Sequence, residues 1–422
     1  MDEKFDFYFV EEIIPIYDEK ENIVERYSIV LLKVEETYDL YNVDENHNYL
    51  IIEKNPNQIL DFKEGNYIIF DTEANEFKSD ANNSPLAKKY RLLNNIYRGL
   101  LISKNLESTS ENITLEQDDL SNLENVFSYH VNVGHGNCSI IVIVNQNSEP
   151  KIWMVDCSNF DLRSRRYYNS NILDCINHIQ TKFNIKKFEI NKFFLTHSHF
   201  DHYSGVTFLI NRNYFTSNTL CYLNIHYSMS NPSYTAMFNG INNLNCRIIE
   251  PLPTSNTNVI SFWHPNKRTI KNMTNRYRAQ DVLIINKPNN SSTVFKLDFK
   301  GLSIVFTGDI ETERWDEINL CVPYMQKTSY FVVSHHGSLN GHLRTRCPVN
   351  RAIGNVSNCL SPYNTLNNAI LMGRNNSFSG IYSQRVLNDF GNTIVLSEKD
   401  ILQNTSKFLE IDWNTNTKNW IL

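Results

Sequence analysis

The stretch Thr196-His197-Ser198-His199-Phe200-Asp201-His202 places three imidazoles and one carboxylate within six residues. It follows the apolar run Lys192-Phe193-Phe194-Leu195, which reads as a buried strand, so the polar cluster falls where a strand ends. His197 and His199 are two apart and can project side by side from an extended turn. Asp201 and His202 are adjacent and can face a second centre. Two centres a few Å apart, filled by imidazole and carboxylate, make a dinuclear metal site able to hold a bridging hydroxide. Four solvated loop residues are the bland alternative, and imidazoles this dense argue against it.

The bulk of the chain allows such a site. With 422 residues there is room for two domains, and 41% hydrophobic and 12% aromatic content support an ordinary core. The acidic start Met1-Asp2-Glu3-Lys4-Phe5-Asp6 does not read as a signal peptide. No stretch approaches the ~18 apolar residues of a membrane span. Eight cysteines are scattered without a C-x-x-C pair, which points to reduced thiols and a cytoplasmic setting, with no membrane partner.

The formal charge of −6 conceals an asymmetry. Residues 1–126 hold 12 Lys+Arg and 27 Asp+Glu, a net −15; residues 127–422 hold 28 and 19, a net +9. The two parts are therefore read as separate units. Residues 1–103 suit a small acidic, mainly β domain ending in a helix. Its short alternating runs are Phe5 to Val10, Tyr27 to Val34, Tyr49 to Glu53 and Tyr67 to Phe70, and a barrel is one form they can take. Ser84-Pro85 opens the helix, with Leu86, Tyr90, Leu93, Ile96 and Leu100 on one face. No chemistry is legible there; its charge suits docking to a protein partner or screening of a basic site. Residues 104–125 read as a linker.

From residue 126 to 422 strands recur: 127–133, 139–144, 151–155, 193–195, 219–226, 245–251, 281–285, 293–299, 302–307 and 329–333, with a helix over 171–183. Runs near 369–372, 393–396 and 408–413 can complete a second sheet. Five further motifs accompany the histidine cluster. They are Val133-Gly134-His135-Gly136-Asn137-Cys138, Met154-Val155-Asp156, Asn289-Asn290-Ser291-Ser292, Phe306-Thr307-Gly308-Asp309 and Ser334-His335-His336-Gly337-Ser338. In this order the set resembles the metallo-β-lactamase superfamily, and within it the ComEC-like hydrolase domain found in DNA-uptake proteins. The resemblance covers about residues 126 to 400. It implies an α/β fold, the four-layer αβ/βα sandwich, carried here beside a small N-terminal β domain.

The resemblance also implies a ligand set of two divalent metal ions. His197 and His199 hold one, Asp201 and His202 the other, and Asp309 bridges them after the strand Leu302 to Phe306. His335 and His336 follow the strand Tyr330 to Val333. Side chains alternate along an extended segment, so one of the pair is expected to bind metal and the other to serve catalysis. His335 is assigned to the metal and His336, with Asp201, to catalysis; the reverse stays open. Where the best-known relatives supply another histidine, this chain has Asn290 and Ser291. Oxygen donors suit harder ions, so manganese stands beside zinc. His264 is an alternative ligand to Asn290 for the first ion. Asp156 takes an orienting role, and His135 and Asn137 lie near the metals.

Basic clusters interleaved with tyrosines add a substrate expectation: Arg163, Arg165 and Arg166 with Tyr167 and Tyr168; Lys267, Arg268, Lys271, Arg276 and Arg278 with Tyr277; then Arg344, Arg346 and Arg351. Charge runs are usually solvated faces, but three in the basic half suit a polyanion. The expected activity is metal-dependent hydrolysis of a phosphodiester, with nucleic acid as substrate. Two alternatives remain: hydrolysis of a small ester, thioester or lactam, or a regulatory subunit with a vestigial site.

Overall fold

Aromatic and β-branched residues dominate the first runs of the chain, and such residues favour strands. In the computed structural model they form β1 (Phe5–Tyr17), β2 (Val24–Lys33), β3 (Tyr49–Lys54), β4 (Tyr67–Asp71) and β5 (Glu76–Lys78). These make one antiparallel sheet in the order β3-β2-β1-β4-β5. Among the described residues its outer strands, β3 and β5, do not pair with each other, so the described sheet is open rather than a barrel. Residues 85–93 are helical. Leu86, Ala87 and Tyr90 are buried, whereas Ile96, expected on the same face, is half exposed.

The structure describes residues 5–17, 24–34, 49–59, 62–78, 81, 83–93, 95–96, 99, 121–162, 164–224, 232–265, 288–311, 314–315, 318, 329–341, 369–373, 383, 386, 394–396 and 406–422. The expected strand 281–285 and Leu100 lie outside them.

The rest is a mixed α/β fold. An antiparallel meander, β6 (Leu123–Val131), β7 (Cys138–Asn145) and β8 (Lys151–Cys157), leads to a short ribbon, β9 (Phe160–Asp161) and β10 (Arg166–Tyr167). Helix α1 (Asn169–Phe183) then returns the chain to β11 (Lys192–Phe194). After it come α2 (Phe200–Tyr203), α3 (Val206–Asn211), β12 (Leu220–Tyr222), α4 (Pro232–Asn243) and β13 (Arg247–Ile249). A second sheet is built from β14 (Ile260–His264), β15 (Val294–Phe299), β16 (Leu302–Phe306), β17 (Tyr330–Val332), β18 (Ala369–Met372) and β19 (Ile394–Leu396). The chain closes with β20 (Phe408–Asp412) and β21 (Thr417–Ile421).

The first large sheet has the order β13-β12-β11-β8-β7-β6-β20-β21, the second β14-β15-β16-β17-β18-β19. Each joins a parallel half to an antiparallel half. The run Phe408–Asp412 pairs with β6 in the first sheet, not in the second as expected, because its apolar residues register against Val131 to Phe127. Ile141, Trp153 and Phe194 from one sheet meet Phe262, Phe295 and Phe306 from the other in a single apolar cluster. Helix α1 buries Ile172, Cys175, Ile176 and Ile179 against the outer face of the first sheet. The helical residues Trp315 and Ile318 belong to the same outer cluster as Val305 and Phe331 of the second sheet.

In open α/β sheets the carboxyl ends of parallel strands form the ligand crevice. Here β8, β11, β16 and β17 deliver Asp156, the His197–His202 turn, Asp309 and the His335-His336 pair from those ends. The apolar cluster beneath continues from Phe9, Val30 and Tyr67 of the N-terminal sheet to Phe160 and Phe200. Tyr49 packs on Phe200 with ring centroids 4.6 Å apart.

Candidate metal centre

The turn after β11 is fixed from below. Asp156 sits at φ 52° at the end of β8, which aims its carboxylate across to β11. Its Oδ1 accepts the Thr196 N–H at 2.7 Å, and its Oδ2 accepts the Thr196 hydroxyl at 2.8 Å and meets His202 Nδ1 at 2.8 Å. A carboxylate on Nδ1 orients the imidazole and leaves Nε2 to face a metal. Two glycines let neighbouring chain come close. A Cβ on Gly136 would meet the Asp201 carbonyl oxygen at 2.6 Å, and one on Gly308 would meet Thr196 Cβ at 2.8 Å. Both have positive φ, which a side chain would also disfavour.

His202 Nε2 lies 3.3 Å from Asp309 Oδ1 and 3.8 Å from Asp201 Oδ2. His336 Nε2 lies 3.0 Å from Asp201 Oδ2 and 3.3 Å from Asp309 Oδ2, while its Nδ1 meets the Met372 carbonyl at 3.0 Å. Asp201, His202, Asp309 and His336 thus offer four ligand atoms all within 4.8 Å of one another. A second such group is Glu12, Asp309 and His335. His197 Nε2 and His335 Nε2 each stand 4.0 Å from Asp309 Oδ2, and His199 Nδ1 stands 3.6 Å from Glu12 Oε1. Asp309 is common to both groups.

The expectation that His335 and His336 point apart rested on an extended backbone. Both residues instead have positive φ, 47° and 49°, in a tight turn. Strand alternation does not apply to left-handed residues, and both rings face Asp309.

Electrostatics show what the cluster demands. Burial opposes charge on His202, yet Asp309, Asp201 and Asp156 hold its pKa well above the ordinary imidazole value. Burial likewise opposes charge on His336, but Asp309 and Asp201 push it up to about 10. Burial alone would raise Asp309 and Asp201; the surrounding imidazoles hold both well below the usual carboxylate range. The carboxylates therefore call for positive charge among them, which protons or a metal can supply. His197 goes the other way: burial, then His202, keeps it neutral, the form that binds metal.

A divalent ion fits this donor set. His197 Nε2 and both ring nitrogens of His199 are buried without a hydrogen-bond partner among the described residues. Such atoms are costly unless something coordinates them. The donors are imidazole nitrogen and carboxylate oxygen, which suit zinc and harder ions alike.

Other residues singled out in the sequence take varied places. His135 packs against the His336 ring with centroids 4.3 Å apart and the planes tilted by 49°, and its Nε2 lies 3.5 Å from Asp201 Oδ2. Burial, then His336, lowers its pKa to about 4. Asn137 acts through its backbone, donating to the Asp201 carbonyl at 3.0 Å. Asn290 donates to Glu311 at 3.2 Å, and Ser291 caps its own turn on the Pro288 carbonyl. His264 is buried at the end of β14, its Nδ1 2.6 Å from the Ser292 carbonyl, and belongs to neither ligand group. Arg165 donates to the Tyr49 carbonyl, Arg166 lies over the Tyr168 ring, Tyr168 is buried and Tyr167 packs on Phe160. Arg165 and Arg166 themselves remain exposed. Arg163, Arg276, Arg278, Arg344, Arg346 and Arg351 lie outside the described residues.

The sequence reading missed Glu11 and Glu12. Glu11 Oε1 accepts the Phe200 N–H at 3.0 Å, and Glu12 faces His199 and His335. The available signal was two adjacent acids inside the apolar run Phe7 to Ile16. Glu311, which also accepts from Asn340, was missed as well.

No family model matches the chain, and no curated protein matches it. Among solved structures it is similar to a point mutant of the CmlA beta-hydroxylase, at 11% identity and a TM-score of 0.32, over 88% of this chain and 68% of that one. At that distance the likeness says nothing of substrate or chemistry.

Proposed function

We propose that the protein is a two-metal hydrolase acting on phosphodiesters, with nucleic acid as the substrate class. The observation that carries the metal reading is Asp309, shared by two buried groups of ligand atoms. His197, His199, Asp309 and His335 would hold one ion; Asp201, His202, Asp309 and His336 the other. Bound divalent ions supply Lewis acidity and activate water at neutral pH. Asp156 fixes the His202 ring, and the Met372 carbonyl fixes that of His336, so neither ligand has to reorganise. With both histidines of the pair among the ligands, His135 is the remaining imidazole beside Asp201 and holds the His336 ring in place. The phosphodiester part rests on the net +9 of residues 127–422.

One observation favours hydrolysis of a small ester, thioester or lactam instead: every ligand residue is at most 3% exposed. The test is turnover of DNA, RNA, a generic phosphodiester, a thioester and a lactam by protein loaded with Mn²⁺ or Zn²⁺. Cleavage of the phosphodiesters alone is expected. Turnover confined to the lactam or thioester selects the second reading, and a protein that binds no metal removes both.

A further inference from the structure

Burying two adjacent carboxylates is expensive unless both are satisfied. Glu11 and Glu12 are 1% and 5% exposed. In a regular strand they would point to opposite faces of the sheet. Here β1 pairs with β2 through Val10↔Leu31 and then Glu12↔Val30, so Glu11 is the extra residue of a β-bulge. Bulges re-aim side chains, and this one turns both acids toward the α2 turn. Glu11 is satisfied there by the Phe200 N–H.

Glu12 is not satisfied in the same way. Its imidazole neighbours, His335 Nε2 and His199 Nδ1, stand at 3.5 and 3.6 Å from Oε1. Both separations exceed an ordinary N–H···O bond of roughly 2.7–3.2 Å. They match instead the spacing of two ligands on one ion. Donors each about 2.1 Å from a tetrahedral metal lie about 3.4 Å apart. Glu12 Oε1, Asp309 and His335 fall within 4.8 Å of one another, and the nitrogens of His199 beside them lack a hydrogen-bond partner.

We infer that Glu12, carried by the bulged strand of the N-terminal sheet, is a ligand of the first metal ion. The acidic sheet thereby completes the centre that the rest of the chain builds, and the ion clamps the two together. This rests on the two-ion reading above.

The test uses the full-length protein, stripped with a chelator and titrated with Mn²⁺ or Zn²⁺, with bound metal counted by mass spectrometry and affinities taken by calorimetry. Wild type is expected to bind two ions. Glu12→Gln should keep one and lose the other, or weaken it beyond the roughly 100-fold that an outer-shell change costs. Glu11→Gln, which leaves the ligand set intact, should keep two. Glu12→His restores a donor at the same place and should regain the second ion, which decides the matter if the Gln variant fails to fold. Two ions bound by Glu12→Gln with wild-type affinity, or one ion bound by Glu12→His, would overturn the assignment of Glu12. Fewer than two ions on wild type would instead overturn the two-ion reading itself.

Discussion

The two ends of the candidate metal centre are built differently. The end formed by Asp201, His202, Asp309 and His336 draws on one sandwich, and its rings are held by Asp156 and the Met372 carbonyl. At the end formed by His197, His199 and His335, neither ring nitrogen of His199 has a hydrogen-bond partner among the described residues, and the nearby carboxylate of Glu12 comes from a different sheet. The contrast teaches that the first end is preorganised by neighbours, while the second depends on how two sheets meet. A ligand fixed by its neighbours tolerates little movement and loses little entropy on binding; one brought from another sheet makes binding report on assembly.

Asp309→Ala is expected to have the largest effect, because both ends share that carboxylate. Metal content should fall from two ions toward none and hydrolysis should become undetectable, read by mass spectrometry and a turnover assay. Two ions retained would remove the shared-ligand basis of the comparison. The histidine pair then separates the ends. His336→Ala should lose the ion of the preorganised end and His335→Ala the other, each leaving about one ion per chain. If either variant keeps both ions, that histidine is no ligand and the division of labour expected from the sequence returns for it.

Asp156→Asn sharpens the claim that neighbours fix one end. It keeps the shape but removes the charge that orients His202. A loss of roughly 10–100-fold in metal affinity is expected, confined to one ion, with two still bound at saturation. Equal weakening of both ions would mean Asp156 supports the whole turn rather than His202.

The smallest effect concerns Glu410, which belongs to neither group of candidate ligands, and it tests whether the fold around β20 is independent of metal binding. Glu410 accepts from Lys182 at 2.8 Å and meets His178 at 2.9 Å, tying β20 to α1. Burial would raise its pKa, but Lys182 and His178 hold it below the ordinary 4.5. A depressed carboxylate pKa stabilises the fold above its unfolded value and loses that contribution as pH falls through the folded value. Glu410→Gln should therefore cost about 1–3 kcal/mol at pH 7, less below pH 4, with metal stoichiometry unchanged. Chemical denaturation at the two pH values checks it. An equal loss at both would mean that packing, not charge, holds this joint.

Much of the candidate centre was legible because its residues are clustered in sequence and fall at strand ends. His197, His199, Asp201 and His202 lie in one turn, and Asp309 follows a plain strand, so spacing and periodicity suffice. That His335 and His336 both face Asp309 was not legible, since alternation holds for extended backbone and both residues are left-handed. What Arg165 and Arg166 touch was not legible for another reason: composition reports charge but not its neighbours.

The sequence alone determined the element types, the strand-end placement of the candidate ligands and the acidic character of the first unit, because these follow from local pattern and residue chemistry. Tertiary structure decided which distant groups share an atom's surroundings. It opened the N-terminal sheet rather than closing it, paired β20 with β6, and brought Glu12 within 3.6 Å of His199 across 187 positions of chain. Side-chain periodicity tells which face a residue occupies. It carries no term for a bulge that turns two successive residues the same way, nor for the element that will cover that face.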